Sequence, residues 1–95
     1  MIRMKYRSRT ELASHILEAA NGGATKTKIM YRAYLSYVQL KEYLPLLIQN
    51  GLMAHDTEEE MYRTTSNGIK FVESARQLNG LLIPSAPENR LTRHV

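Results

Sequence analysis

Between residues 26 and 42 the chain gathers Lys26, Lys28, Arg32 and Lys41 with Tyr31, Tyr34, Tyr37 and Gln39. Ammonium and guanidinium groups donate charge-assisted hydrogen bonds to phosphate oxygens, which position a bound polyanion without reading its sequence. Gln39 carries a carbonyl and an NH2 side by side, the pair that can meet an adenine edge; Lys41 can meet guanine or a phosphate. Tyrosine rings could stack on unpaired bases. The more common fate of such tyrosines is partial burial with the hydroxyl at the rim, which is the expectation for Tyr37 and Tyr43.

No comparable grouping points to catalysis or to a metal. His15, His55 and His94 are scattered, with no partner at ligand spacing, and isolated histidines are usually structural or surface residues. The turn Asp56–Glu60 lacks the alternating ligands and central glycine of a calcium loop. No Ser/His/Asp or Cys/His set and no phosphate-cradling glycine loop is present. The reading is therefore a protein that is not an enzyme and needs no cofactor. There are no cysteines, which excludes disulfides and thiolate metal sites and fits a cytoplasmic location. No apolar run approaches a membrane span, and no signal peptide opens the chain.

Charge is unevenly distributed. The net charge is +4, but residues 1–45 hold eight Lys/Arg against three Asp/Glu, and residues 46–95 hold five against six. A basic half suggests a polyanionic partner, most often nucleic acid; a solvated basic surface explains it as well. Ninety-five residues make one small domain with a modest core.

Local signals then set the elements that carry these groups. Ser8-x-x-Glu11 is a capping-box pattern opening a helix over 8–21, with Leu12, Ile16, Leu17 and Ala20 on one face and Gly22-Gly23 at its end. Thr25 caps a short basic helix to Ala33, with Ile29, Met30 and Ala33 inward. Arg32-Ala33-Tyr34-Leu35 forms a turn; lacking glycine, it is expected to keep ordinary backbone angles, with Leu35 in the core. Ser36 and Gln39 repeat the capping-box pattern for a helix over 37–50 that Gly51 stops. Its buried stripe is read as Tyr37, Leu40, Leu44, Leu47 and Ile48, with Tyr43 bordering it. Pro45 interrupts the pattern without ending it, so a bend is expected. Leu52–His55 and Met61–Thr64 alternate as strands of a hairpin around the acidic turn. Thr65 or Ser66 opens the last helix, which Gly68 and Gly80 weaken and Pro84 bounds. The predicted core is Leu12, Ile16, Ile29, Leu40, Leu44, Leu47, Ile48, Leu52 and Ile69. Residues 1–7 form a basic arm, 8–83 the domain with its last helix at about 66–83, and 84–95 a loose tail.

Two helices joined by a short turn, with basic residues beside them, make a helix-turn-helix; a following hairpin makes a wing. The expected fold is mainly α with one small β-hairpin. With this order in hand, GGATKTKIMYRAYLSYVQLKEYLPLLIQNGL at 22–52 and YRTTSNGIKFVE at 62–73 carry a resemblance. The chain resembles a family of small archaeal winged helix-turn-helix proteins, regarded as transcriptional regulators and related to dimeric chromatin-associated proteins with a C-terminal coiled coil. The resemblance implies duplex DNA binding, a nucleoid location and dimerisation through the final helix. Pro45, Asn67 and the wing residues Glu58, Glu59 and Glu60 depart from the family pattern.

On that reading Ser36, Val38, Gln39, Lys41 and Glu42 face DNA from the second helix of the motif. Lys26, Lys28, Arg32 and Tyr34 meet phosphates, and Arg63 in the wing is a further candidate. Two of these have competing roles: Gln39 stands where its own capping box would occupy it, and Arg63 could be a plain strand charge. Phe71, Ala75, Leu78 and Leu82 form an apolar row beyond what one small core requires, and are the candidate dimer interface. The competing arrangement folds residues 78–83 back over the domain, hinged at Gly80. The acidic wing also leaves open a module that binds protein and not DNA.

Overall fold

The computed structural model describes residues 7–82. Its elements run α1 (Arg9–Ala20), α2 (Lys26–Ala33), α3 (Tyr37–Gln49), β1 (Met53–Asp56), β2 (Met61–Thr64) and α4 (Ser66–Leu82). Each helix starts where a hydroxyl side chain accepts an otherwise orphaned backbone N–H. Ser8 Oγ accepts from the Glu11 N–H at 3.1 Å while the Ser8 N–H donates to Glu11 Oε1 at 3.0 Å. Ser36 and Gln39 repeat this exchange at 3.1 Å in both directions. Thr25 Oγ1 accepts from the Lys28 N–H, and Thr65 Oγ1 from the Gly68 N–H, so Thr65 caps α4. Helix α3 continues through Pro45, as the unbroken apolar pattern requires.

The core joins Leu12, Ile16, Leu17 and Ala20 of α1, Ile29 and Ala33 of α2, Leu35, and Leu40, Tyr43, Leu44 and Leu47 of α3, with Met53, Tyr62 and Val72. Several expectations are corrected here. Tyr37 does not belong to the buried stripe: its ring is 49 % exposed, and Tyr43, fully inside the core, takes the aromatic place. The stripe begins at Leu40, three residues into the helix, and Tyr37 in the first turn stays at the surface. Ile48 and Leu52 only border the core, and Ile69 is partly exposed at the edge of the same α4 face, leaving Val72 as its buried residue.

The turn between α2 and α3 also departs from expectation. Tyr34 adopts φ 55°, ψ 54°, the left-handed conformation that ordinarily selects glycine and costs an L-residue about 1–2 kcal/mol. The Arg7 guanidinium explains how it is held. It donates to the Ala33 and Tyr34 carbonyls at 2.8 Å each and to His15 Nδ1 at 2.9 Å. Arg7 is thus part of the folded domain and not of a free arm; residues 1–6 lie outside the described residues, as does the expected tail at 84–95.

Strands β1 and β2 pair antiparallel, Met53 opposite Thr64 and Asp56 opposite Met61. Such a hairpin needs support, and three contacts supply it. Ala24 exchanges two backbone hydrogen bonds with Tyr62, adding a one-residue third strand. Thr64 Oγ1 donates to the Leu17 carbonyl. Gly68 sits directly against the Leu52 carbonyl, where a Cβ would collide with backbone. The glycine expected only to weaken α4 is what lets it approach the wing. Asp56 Oδ1 accepts from the Glu58 and Glu59 N–H groups, closing the acidic turn. Helix α4 runs unbroken through Gly80 to Leu82, so the hinge of the competing fold-back arrangement is not formed at Gly80.

Candidate nucleic-acid interface

Helices α2 and α3 and the turn that Arg7 pins present one continuous outer surface. Val38, Lys41, Glu42 and Pro45 recur at helical spacing on α3 and are all exposed, opposite the buried Leu40, Tyr43, Leu44 and Leu47. Val38 is 73 % exposed and Tyr34 85 %. The Tyr37 ring is the meeting point of the two helices. Lys26 Nζ lies 6.0 Å and Lys41 Nζ 5.8 Å from its centroid, so cations from α2 and α3 converge on one aromatic ring. No acidic residue occupies the first turn of either helix, and the partial positive charge of both N-termini adds to that of the lysines. Lys28 is also exposed on α2.

The remaining predicted residues are engaged to differing degrees. Gln39 is half-buried, and its Oε1 accepts from the Ser36 N–H, which turns the amide back onto its own helix start. The bidentate adenine geometry needs that oxygen and the NH2 aimed outward together. Ser36 Oγ is the cap acceptor. Arg32 is exposed but donates from Nη1 to the Ala19 carbonyl at 3.0 Å, tying α2 to α1. Arg63 donates to the Gly22 carbonyl at 3.1 Å and pairs with Glu59 at 3.4 Å. It braces the wing against the α1–α2 loop. Sequence reasoning missed Arg7; its acceptors lie 26 and 27 residues along the chain, and no local pattern could have shown them.

On α4, Leu78 is 61 % and Leu81 82 % exposed, Ala75 is half-buried, and Phe71 packs against the domain's own core. Arg76 reaches across to Glu18 of α1 at 2.9 Å. Among the described residues no group of His, Asp or Glu is arranged to hold a metal, and no helix is long and apolar enough to cross a membrane.

A three-helix core with a capped second motif helix, a two-stranded hairpin and a following helix defines a winged helix-turn-helix domain. The winged helix-turn-helix family model matches residues 6–82, and the chain belongs to that family. Among solved structures it is similar to Sso10a-2, a DNA-binding protein from Sulfolobus solfataricus. The TM-score is 0.75 at 23 % identity, covering 79 % of this chain and 81 % of that one. Among curated proteins no significant match was found. The expected fold and the resemblance to a winged helix-turn-helix family are borne out.

Proposed function

We propose that this protein binds duplex DNA as a homodimer and acts as a transcriptional regulator in the cytoplasm, on the nucleoid. The observation that carries the reading is the convergence of Lys26 and Lys41 on Tyr37, at the N-terminal end of an α3 face made of Val38, Lys41 and Glu42. A helix entering the major groove meets base edges with its N-terminal residues, while flanking cations hold the backbone. In this role Lys26, Lys28 and Tyr34 meet phosphates, with Arg32 reaching them from its exposed side. Val38, Lys41 and Glu42 face the bases; Ser36 and Gln39 present the helix start. The family membership and the DNA-binding relative support the same reading.

Dimerisation follows from reach. One α3 reads few base pairs, and a two-fold pair sets two such helices about 34 Å apart, one turn of duplex. The exposed Leu78 and Leu81 on a continuous α4 support an interface there, with Ala75 and Leu82 on the same helix and Phe71 bracing it from the core side. The acidic wing is the one observation favouring a protein-binding module instead: Glu58, Glu59 and Glu60 are all exposed.

Titrating a labelled duplex of about 30 bp at several salt concentrations separates the two, because phosphate contacts make affinity fall steeply with salt. A steep log–log slope is expected; no duplex binding at low salt would leave the protein-binding module. For the dimer, changing Leu78 and Leu82 to glutamate should produce folded monomers that bind more weakly. Sedimentation of the unmodified protein as a monomer at tens of micromolar would remove the dimer.

A further inference from the structure

The outward face of α3 carries a side chain that nothing in the domain accounts for. Val38 is 73 % exposed in the first turn, flanked by Tyr37 and by the capped Ser36–Gln39 pair. A β-branched residue there loses rotamer freedom and gains no burial, so folding does not explain the choice of valine. Its neighbours on the same face, Lys41 and Glu42, are hydrogen-bonding residues. Gln39, the residue best suited to adenine, is turned back onto Ser36. The face therefore combines one apolar contact point with two polar ones, beside the cations gathered on Tyr37.

We infer that Val38 reads the C5-methyl groups of pyrimidines in the major groove, thymine foremost, so that this surface is a methyl-sensitive reader of duplex DNA. The inference rests on the duplex-binding reading above. In the major groove the four base pairs present hydrogen-bond donors and acceptors, and the apolar feature among them is the thymine methyl. An isopropyl group at the N-terminal turn of a helix in that groove gains stabilisation by covering such a methyl and loses it where water or a polar edge stands there. Cytosine acquires the same feature when methylated at C5. Lys26 and Lys28 supply the phosphate attraction that holds the helix in place, and that attraction is the same on every sequence.

The test compares duplex polymers that differ only in the methyl group. The full-length protein is titrated with poly(dA-dT) and poly(dA-dU), and with poly(dG-dC) and its 5-methylcytosine form, at one fixed salt concentration. Covering one methyl-sized group corresponds to about a fourfold change in affinity. The protein should prefer each methylated polymer by about that factor. The preference should shrink in Val38→Ala, vanish in Val38→Ser and persist in Val38→Ile, with circular dichroism showing all three folded. Equal affinity for the two members of each pair overturns the inference while leaving duplex binding intact. So does a preference that survives unchanged in Val38→Ser, since the methyl would then act through the shape of the duplex. Absence of binding to any polymer overturns both readings.

Discussion

The proposed recognition surface and the wing are built in opposite ways. On α2 and α3 the cations are exposed, two of them sharing the Tyr37 ring, and no carboxylate stands in either first turn. On the hairpin the carboxylates are exposed and the one arginine is engaged, donating to Gly22 and pairing with Glu59. In a winged helix-turn-helix both regions are available to a ligand. Here the charges favour a polyanion at one and disfavour it at the other, and the wing's hydrogen bonds are directed into the domain. The difference teaches that a wing can serve as a brace, fixing the angle of α4 through Gly68 and Thr65, and on the proposed reading it leaves α2 and α3 to face the polyanion.

The strongest way to break this contrast is to remove the cations. Changing Lys26 and Lys28 together to alanine should lower the salt slope of duplex affinity by about 1.8, or about 0.9 for each phosphate that is no longer neutralised, and weaken binding by about two decades near 0.1 M salt. Changing Glu58, Glu59 and Glu60 to glutamine should leave the slope as it was. If the wing changes alter it as much as the lysine changes do, the assignment of the two surfaces is wrong.

Next in size is the joint between wing and α4. Gly68→Ala forces a methyl against the Leu52 carbonyl, and its loss in urea-unfolding free energy should be about 1–3 kcal/mol. An unchanged midpoint would mean that the approach is not close. Ser36→Ala removes one cap acceptor and should cost about 1 kcal/mol by the same measurement. Smallest is Arg63→Ala. Its exposed ion pair is worth less than about 1 kcal/mol, and the salt slope for DNA should not change. A slope lower by about one unit would show Arg63 on a phosphate and return the wing to the interface.

Much of this architecture is legible in the sequence. The two capping boxes mark the starts of α1 and α3 to the residue, and Gly51 with the alternating Met61–Thr64 segment marks the hairpin. The candidate surface is legible as composition, four cations and three tyrosines between residues 26 and 42. The roles within it are not. Gln39 belongs to both a capping pattern and a base-reading pattern, and the hydrogen bond to Ser36 favours the first.

What the sequence determined by itself was local: helix starts, strand alternation, the order of elements and the sign of each region's charge. These depend on residues three or four apart, and spacing along the chain reports them. The tertiary structure decided what depends on distant residues. Tyr34 could take left-handed angles without glycine because Arg7 binds the carbonyls around it. Tyr37 stays half-exposed in the first turn of α3 while Tyr43 is buried in the core. Gly68 was required by the Leu52 carbonyl, on the far side of the hairpin in the chain. Each is a packing or hydrogen-bonding fact between segments that periodicity treats as independent.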